Sequence, residues 1–425
     1  MTDDNTEVAI IGGGAAGIAA ARHLREAGIE YLLIEARQRL GGRAWTVNDG
    51  PGFPIDLGCG WLHSADRNPW ATVAQVQGRT IDRTPPAWTR PALPIRFPLT
   101  EQREFRSAMD RFYDRLETLL AKGDDVPAAD ALEPGSRWNN MITAVCTFIS
   151  GAELSRISAR DFIDYQDSNV NWSIIEGYGA TIAAAGNGLR TVLDCPVYRV
   201  DHSGARLRID TAKGLLTADQ TIVTLPSAIL AETEDLFAPA LPEKTAAARG
   251  LPLGLADKLF ISLATAEEFA PNSRVFGHTD RIATAVYQLR PFGRPMIECY
   301  FGGSNAAALE GLGQRGFFDF AVSELMDIFG NDFASRLAPI RMHCWGADPF
   351  AKGAYSYATP GMADCRSTLA ASLDDRLFFA GEACSRGNFS TAHGAWFTGV
   401  AAAQEVIALR RRYHATLTTI ITVTE

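Results

Sequence analysis

The sequence lacks the features that would indicate a membrane span, a zinc site or a nucleic-acid partner. No window of about 18 residues is uninterruptedly apolar, so no transmembrane helix is predicted. The 7 cysteines are scattered, odd in number and form no Cys-x-x-Cys pair, which favours a reducing compartment and argues against structural zinc or any other metal. A formal net charge of −9 argues against binding to nucleic acid.

Signals for targeting, repeats and low-complexity tracts are also missing. The acidic N-terminus has no basic segment of the kind that begins a signal peptide, so we expect a cytoplasmic protein. The β-branched stretch 415–425 is too short to span a membrane and is expected to be an edge strand or a frayed end. A chain of 425 residues with 47% hydrophobic and 21% charged residues is long enough for two or three globular domains.

The most informative pattern is a glycine motif near the N-terminus. The apolar run 8–11 predicts a buried strand, and Gly12-x-Gly14-x-x-Gly17 then opens an alanine-rich helix. In a dinucleotide-binding βαβ unit the first glycine permits a tight turn and the second lets the backbone approach a pyrophosphate. The third lets the helix pack closely against the strand.

The continuation of the motif strengthens the prediction of a bound dinucleotide. A second apolar run, 31–34, ends in Glu35, which lies 18 residues after Gly17. A carboxylate there can accept hydrogen bonds from a ribose diol, so it favours FAD or NAD over NADP. The phosphates are expected on the free N–H groups at the helix N-terminus, around Ala15 and Ala16. A tight turn without a ligand is the alternative, and the motif alone does not choose between FAD and NAD.

Hydrophobic periodicity predicts further helices and strands along the chain. The expected helices cover residues 101–122, 137–165, 315–329 and 392–412, the first being an amphipathic packing helix. The expected strands cover residues 196–200, 206–211, 220–224 and a run from 377 that ends at Gly381-Glu382. The proline-rich segment 85–98 is predicted to be a linker or an excursion over the surface.

The α/β character appears at the beginning, middle and end of the chain. We therefore predict an α/β fold with a discontinuous Rossmann-like nucleotide-binding domain and a second, α+β substrate domain that has a mixed sheet plus helices. The first domain is expected to comprise residues 1–80, 187–245 and 346–425. The second is expected to comprise residues 81–186 and 246–345.

A basic segment follows Glu35 and introduces a wider resemblance. Arg37, Arg39 and Gly41-Gly42-Arg43 suit a cofactor with more phosphate and polyol than one βαβ unit can hold, although a solvated basic loop is the alternative. In ordered blocks over nearly its whole length, the chain resembles the flavin amine oxidase family, which includes monoamine and polyamine oxidases. The resemblance implies that the nucleotide-binding domain is an FAD-binding domain.

The block from Ile55 to Pro69 looks like the polyamine-oxidase form of the segment that contacts the flavin ring in this family. Its small residues would let the backbone lie close to the ring. The residue that matches Val197 contacts adenine in the family, and Gly381-Glu382 matches the strand end that binds ribitol and pyrophosphate. Together the motif and the resemblance assign FAD contacts to Gly12, Gly14, Ala15, Ala16, Gly17, Glu35, Arg37, Gly42, Arg43, Gly58, Gly60, Trp61, Val197, Gly381, Glu382, Thr391 and Ala392.

Four residues are candidates for the chemistry by the same resemblance. Lys258 matches a lysine that holds a water at flavin N5, with an exposed strand lysine beside Asp257 as the alternative. His63 would face the substrate channel, although a lone histidine is usually structural. Tyr355 and Trp396 match the two aromatic residues that flank the amine.

Ala354 departs from the pattern of the monoamine oxidases, which carry at this place the cysteine that bonds to the flavin. The FAD is therefore expected to be non-covalent. The expected reaction is oxidation of a primary or secondary amine, polyamines included, with hydride transfer to flavin and reoxidation by O₂ to give H₂O₂. The expected partners are the small-molecule amine and O₂, without nucleic acid or membrane, and a homodimer is one open option.

The sequence also leaves alternative functions to be considered. An L-amino-acid oxidase would need an arginine in the pocket, for which Arg83, Arg290 and Arg294 are candidates. A carotenoid or porphyrinogen dehydrogenase is disfavoured by the blocks around Lys258 and Trp396. A flavin-binding interaction protein without turnover is disfavoured because there is no long helical insertion and no basic patch. Glu176 is expected to be structural, with an anionic subsite for a second amino group as the alternative.

Overall fold

The computed structural model describes residues 4–48, 50, 52–123 and 125–423, and side chains within those ranges from residue 5 to residue 412. This part of the chain forms two principal β-sheets surrounded by helices. All seven cysteines lie within it and are unpaired. None of its helices combines the length and the apolar character that crossing a bilayer requires.

The strands are short, except for those at the centres of the two sheets. They are β1 (Asp4–Ile11), β2 (Tyr31–Ile34), β3 (Thr46–Val47), β4 (Ile55–Asp56), β5 (Ile81–Asp82), β6 (Ser173–Ile174), β7 (Thr191–Val192), β8 (Val197–Asp201), β9 (Leu207–Thr211), β10 (Gly214–Val223), β11 (Phe237–Ala238), β12 (Leu253–Gly254), β13 (Ala256–Leu263), β14 (Ser273–Phe276), β15 (Val286–Leu289), β16 (Met296–Gly302), β17 (Leu337–Met342), β18 (Tyr355–Ser356) and β19 (Leu377–Phe379).

The α-helices range from one and a half turns to more than eight turns. They are α1 (Ala15–Glu26), α2 (Pro69–Val76), α3 (Leu99–Leu120), α4 (Asn139–Ser150), α5 (Ala159–Asp164), α6 (Tyr178–Ala184), α7 (Ser227–Glu232), α8 (Pro242–Arg249), α9 (Gly303–Glu310), α10 (Gly313–Phe329), α11 (Cys365–Ala370) and α12 (Ala392–Val423).

The larger sheet is assembled from three separated parts of the chain. Its strand order is β11-β8-β9-β10-β1-β2-β7, and β19 pairs with the end of β10. Strands β2, β1, β10 and β19 run parallel, so their carboxyl ends meet at one edge of the sheet. That edge is where a dinucleotide binds in doubly wound folds. The α/β fold class is thereby confirmed, while the domain boundaries remain predictions.

Helix α1 is held against this sheet by the last helix of the chain. Its alanine-rich sequence gives it a smooth face, and Ala20 and Leu24 are fully buried in one cluster with Ala403 and Val406 of α12. Small residues allow close approach of the two helices and of α1 to the strands. The N-terminal nucleotide motif is therefore completed by residues from the other end of the chain.

The second sheet is antiparallel, in the order β14-β15-β16-β13-β17. One face packs on α9 and α10 through a cluster that includes Leu259, Tyr287, Phe301 and Phe317. Side chains alternate between the two faces of a strand, so Lys258 and Tyr300 lie on the opposite face. That opposite face lines the same cavity as the carboxyl edge of the parallel strands in the larger sheet.

Two predicted elements end differently in the structure. The helix predicted over 137–165 stops at Ser150, where Gly151 adopts φ +74° and a Cβ would lie 2.8 Å from the Cα of Gly254. A glycine in the left-handed region is a common helix terminus. The edge strand considered for 415–425 is wrong, because α12 continues through Val423; the last two residues lie outside the described ranges.

The proline-rich segment 85–98 is a surface excursion that is tied to the second sheet. Leu93 N–H donates to the carbonyl of Arg274 on β14 at 2.8 Å. The side chain of Gln102 bonds both backbone polar groups of Ala92 and the carbonyl of Phe97. These bonds fix the segment as a wall over the face of the second sheet that carries Lys258.

Candidate cofactor and substrate cavity

A cavity of about 1100 Å³ runs from the carboxyl edge of the parallel strands to the second sheet. Small-molecule pockets usually span roughly 300–1000 Å³, so this one can hold more than one small ligand. All predicted site residues except Gly17 and Trp396 line it. Those that do are Gly12, Gly14, Ala15, Ala16, Glu35, Arg37, Gly42, Arg43, Gly58, Gly60, Trp61, His63, Val197, Lys258, Tyr355, Gly381, Glu382, Thr391 and Ala392.

The glycines of the N-terminal motif fit the tight turn expected of them. Gly12 has φ +106°, and a Cβ there would lie 2.6 Å from Thr224 Oγ1. A Cβ at Gly17 would lie 1.9 Å from the carbonyl oxygen of Gly12, so no larger residue fits there. Gly17 is buried and does not line the cavity. Gly14 caps α1 without a side-chain hydrogen bond, so the first N–H groups of the helix are available to an anion.

Glu35 is held at the same edge by two backbone groups. Its carboxylate accepts a hydrogen bond from Gly13 N–H at 2.7 Å and one from Arg37 N–H at 2.8 Å. The side chain is buried and lines the cavity. This geometry places a fixed carboxylate where a ribose diol is expected.

Half-buried Arg43 and buried Glu382 form an ion pair between the basic segment and the end of β19. The Arg43 guanidinium donates to Glu382 at 2.9 Å and to the carbonyl of Ala354 at 2.8 Å. Burial alone would raise the pKa of the Glu382 carboxyl, but Arg43, Ser356 and Arg366 hold it below its ordinary value. The pair therefore stays ionised and joins three distant segments around the middle of the cavity.

The small residues at 58–60 lie next to Lys258. A Cβ at Gly58 would fall 1.8 Å from the carbonyl oxygen of Arg43, so no larger residue fits there. A Cβ at Gly60 would lie 3.5 Å from the Lys258 Nζ. The structure thus brings the lysine to the segment that the sequence assigns to a flavin ring.

Lys258 is a buried cation with carboxylate neighbours. It is 7% exposed, and its Nζ lies 3.5 Å from Glu298 Oε1. Burial alone would lower the pKa of Lys258, but the charges of Glu298 and Asp56 raise it above its ordinary value. The exposed strand lysine considered as an alternative is therefore wrong. Asp257 is itself buried and accepts a hydrogen bond from Trp345 N–H.

His63 lies in the cavity wall as a neutral imidazole. Its Nδ1 is 2.7 Å from the amide oxygen of Asn171, and because that oxygen only accepts, Nδ1 carries the proton. Burial lowers the pKa of His63, against the opposing effects of Asn171 and Asp167. The Nε2 atom is therefore an acceptor at neutral pH.

Tyr355 belongs to an aromatic wall near Lys258. Its hydroxyl donates to the carbonyl of Phe148 at 2.5 Å and lies 3.4 Å from the hydroxyl of Tyr300. The rings of Phe148 and Tyr300 meet edge to face, with centroids 6.2 Å apart. Both residues line the cavity. The sequence gives no signal for them, because only the tertiary fold brings α4 and β16 together with Tyr355.

Trp396 is not the second aromatic residue of this wall. Its ring packs edge to face on Trp70, with centroids 4.7 Å apart, and on His23 at 6.3 Å. It belongs to the core between α1, α2 and α12 and is absent from the lining of the cavity. The sequence motif places Trp396 on the expected helix, α12, but its position around the helix axis directs its side chain into the core.

The other charged candidates lie outside the main cavity. The Glu176 carboxylate accepts hydrogen bonds from the backbone and the hydroxyl of Thr80, as a structural carboxylate would. Arg290 bonds the carbonyl of Phe269, and Arg83 stacks on the ring of Trp172. Arg294 bonds two backbone carbonyls and lines a small neighbouring pocket of about 40 Å³.

The outer half of the cavity was not predicted. Its apolar lining comes mainly from the proline-rich segment and from α3, which also packs into a core through Phe112 and Leu116. The residues concerned include Trp88, Phe97, Phe105, Met109 and Tyr113.

Within the described ranges, no cluster of three or more histidine, cysteine or acidic side chains is arranged to hold a metal ion.

Comparison with known proteins gives a consistent family match. Residues 15–165 and 152–407 match the model of the family described as flavin containing amine oxidoreductase. The chain is 27% identical to "Probable polyamine oxidase 4" of Arabidopsis thaliana, over 93% of this chain and 86% of that protein. It is 28% identical to "Polyamine oxidase 4" of Oryza sativa subsp. japonica, over 94% and 88%. It is 25% identical to "Lysine-specific histone demethylase 2" of Homo sapiens, over 95% of this chain but 54% of that protein.

Proposed function

Since this chain belongs to the flavin-containing amine oxidoreductase family, we propose that it oxidises the C–N bond of a primary or secondary amine with O₂ as electron acceptor. The amine loses two electrons and two protons and becomes an imine, which water hydrolyses to a carbonyl compound and either ammonia, from a primary amine, or a smaller amine, from a secondary one. O₂ takes up the two electrons and two protons as H₂O₂. The position of Lys258, buried between the 58–60 segment and the aromatic wall, carries this proposal.

FAD is the cofactor of this enzyme, and when bound it supplies the acceptor for the hydride equivalent of the amine. The glycine turn at Gly12 and Gly14, the fixed carboxylate of Glu35 and the Arg43–Glu382 pair fit its nucleotide and polyol portions. We propose that it is held without a covalent bond. Ala354 offers no nucleophile, and burial together with Asp56 raises the pKa of the Cys59 thiol to about 12, so that thiol stays protonated.

The protein side chains bind and orient the amine. The aromatic wall of Tyr355, Tyr300 and Phe148 excludes water and presents π-faces that attract an amine. His63 Nε2 can accept an N–H from the substrate. The Lys258 ammonium donates hydrogen bonds to a water molecule and stabilises negative charge that develops nearby.

An anaerobic spectrum tests the proposal directly. We expect the yellow enzyme to be bleached by members of an amine panel, and re-admission of air to restore the colour with one H₂O₂ per amine oxidised. Bleaching by α-amino acids alone would favour the L-amino-acid oxidase. A flavin that stays oxidised with every amine and amino acid would contradict the proposal and favour an interaction protein without turnover.

Gly14 and Gly17 form a matched pair for testing where the cofactor lies. Gly14→Ala should weaken FAD binding by about tenfold or more, because its Cβ meets no protein atom nearer than 3.9 Å and occupies space reserved for the ligand. Gly17→Ala should instead destabilise the fold, because its Cβ would lie 1.9 Å from the carbonyl oxygen of Gly12.

The two outcomes are separated by flavin titration and thermal melting. The Gly14→Ala protein should melt normally without flavin and gain less stability from added FAD than the parent. Unchanged flavin affinity in this variant would place the pyrophosphate elsewhere.

A further inference from the structure

The floor of the outer cavity is one face of the antiparallel second sheet. Arg274, Gln288 and Glu298 are directly opposite one another on β14, β15 and β16. Lys258 lies on the next strand, β13, opposite Tyr300. All five residues line the cavity, so the sheet connects the Lys258 end to the β14 end.

Three arginines gather at the β14 end. Arg274 Nη2 donates to the carbonyl of Arg90 at 3.4 Å, and Arg90 Nη2 donates to the carbonyl of Asn272 at 3.2 Å. Arg106 of α3 lies near enough to Arg274 to disfavour its charge. All three arginines line the cavity. Within the described part of the chain, none of the three guanidinium groups is in an ion pair with a carboxylate.

Arg274 is the most confined of the three. Its guanidinium lies 4.8 Å from the ring centroid of Phe276, and its Nε is buried without a hydrogen-bond partner. Burial and the charge of Arg106 lower the pKa of Arg274 to about 10, so it remains a cation at neutral pH. A cation kept in a half-buried position beside another cation is costly unless an anion joins it.

The surroundings of the cluster are apolar rather than acidic. Phe97 contacts Phe276 and Phe105, with ring centroids 5.8 and 6.3 Å apart. The carboxylates that line the cavity are engaged elsewhere, as Glu298 is with Lys258 and Asp161 with Arg366. This end of the cavity therefore suits an anion on an apolar chain and repels a second ammonium group.

The strand spacing gives the separation of the two ends. Strands in a sheet lie about 4.8 Å apart, so three steps from β13 to β14 span roughly 14 Å. Lys258 also lies two residues along β13 from Phe260, which is opposite Glu298, and this offset brings the separation to roughly 16 Å. An extended chain covers at most about 1.2 Å per bond, so some thirteen bonds span that distance. The carboxylate of an α-amino acid is adjacent to its reacting carbon and cannot reach the arginines from the Lys258 end.

We propose that the preferred substrate is a long-chain amine whose far end carries an anionic group, with the anion bound by Arg274, Arg106 and Arg90. This rests on the proposed amine oxidation and specifies its substrate class. Polyamines, which carry a further ammonium at that end, are then poorer substrates than an amine of equal length that ends in a carboxylate.

The test compares three end groups on the same chain. Alkylamines, α,ω-diamines and ω-amino carboxylates of about six to fourteen carbons are supplied to the FAD-loaded enzyme, and kcat and KM are measured for each. We expect the longer ω-amino carboxylates to have a KM at least about tenfold lower than the diamines, with similar kcat, because a remote contact strengthens binding without changing the reacting centre.

Arginine variants identify the contact. Arg274→Gln and Arg106→Gln should each raise KM for the ω-amino carboxylate by about tenfold and leave KM for the alkylamine of equal length nearly unchanged. Arg106 is exposed, so its replacement tests the proposal even if Arg274→Gln folds poorly. Arg111→Gln is the matched control and should change neither value, because Arg111 lies on the same helix as Arg106 but forms an exposed ion pair with Glu133.

The outcomes separate the two proposals. If alkylamines and diamines are oxidised as well as the ω-amino carboxylates at every length, the anionic substrate class is wrong while amine oxidation stands. If no amine in the series reduces the flavin, the amine oxidation itself fails.

Discussion

Replacing Lys258 with methionine should slow reoxidation of the reduced enzyme by O₂ by about 10² to 10³-fold, the loss typical when a preorganised donor is removed from developing negative charge. The ammonium is buried, is 3.5 Å from Glu298 and has a pKa held above its ordinary value by Glu298 and Asp56. It therefore presents a permanent positive charge in a place that water screens poorly. Methionine has a similar length but carries no charge.

Stopped-flow mixing of the anaerobically reduced enzyme with O₂ measures this rate. Lys258→Arg should restore part of it because the charge returns, although the geometry of the donor differs. Lys122→Met, at an exposed position just after the end of α3, is the control and should reoxidise like the parent. A normal rate in Lys258→Met, with flavin still bound, would remove the lysine from this step.

Replacing Arg366 with methionine should lower the free energy of unfolding by about 3–5 kcal/mol, as expected when one partner of a buried ion pair is removed. Arg366 is 1% exposed and Asp161 3% exposed. Two guanidinium nitrogens donate to the two oxygens of the Asp161 carboxylate, each at 2.9 Å. The third nitrogen donates to Ser356 Oγ at 2.9 Å.

The cost arises chiefly from the carboxylate left behind. We therefore expect the double variant Arg366→Met with Asp161→Asn to lose less stability than the sum of the two single variants, as urea unfolding followed by circular dichroism will measure. Arg315→Met, in an exposed pair with Asp319 one helical turn away, should lose no more than about 0.5 kcal/mol. Equal losses at Arg366 and Arg315 would contradict this account.

The sequence predicts the nucleotide half of the molecule better than the substrate half. The strand–glycine–helix motif from Val8 to Glu35 is local, so its geometry follows from a few residues whose roles are set by turn sterics and helix termini. The confirmed α/β fold and FAD cofactor both depend on it. Lys258 and Tyr355 were found through motifs that fix their neighbours as well as themselves, and their roles stay predictions.

The errors concern side-chain direction and distant segments. Trp396 lies on the predicted helix, but a rotation of about 100° per residue decides whether a side chain meets the cavity or the core, and the motif does not fix that rotation. Arg90, Arg106 and Arg274 come from a loop, a helix and a strand. Nothing in their local sequence indicates that they meet, because only the tertiary fold brings them together.

The packing of α1 on α12 has a consequence for how the chain folds. Strand β1 lies between β2 and β10, which begins more than 200 residues later, and the apolar face of α1 is buried by residues from Ala392 onward. During synthesis, the apolar surface of the N-terminal β1-α1-β2 unit therefore stays uncovered until nearly the entire chain has been made. We expect slow folding with high contact order and a nascent chain that depends on chaperones until its last helix emerges.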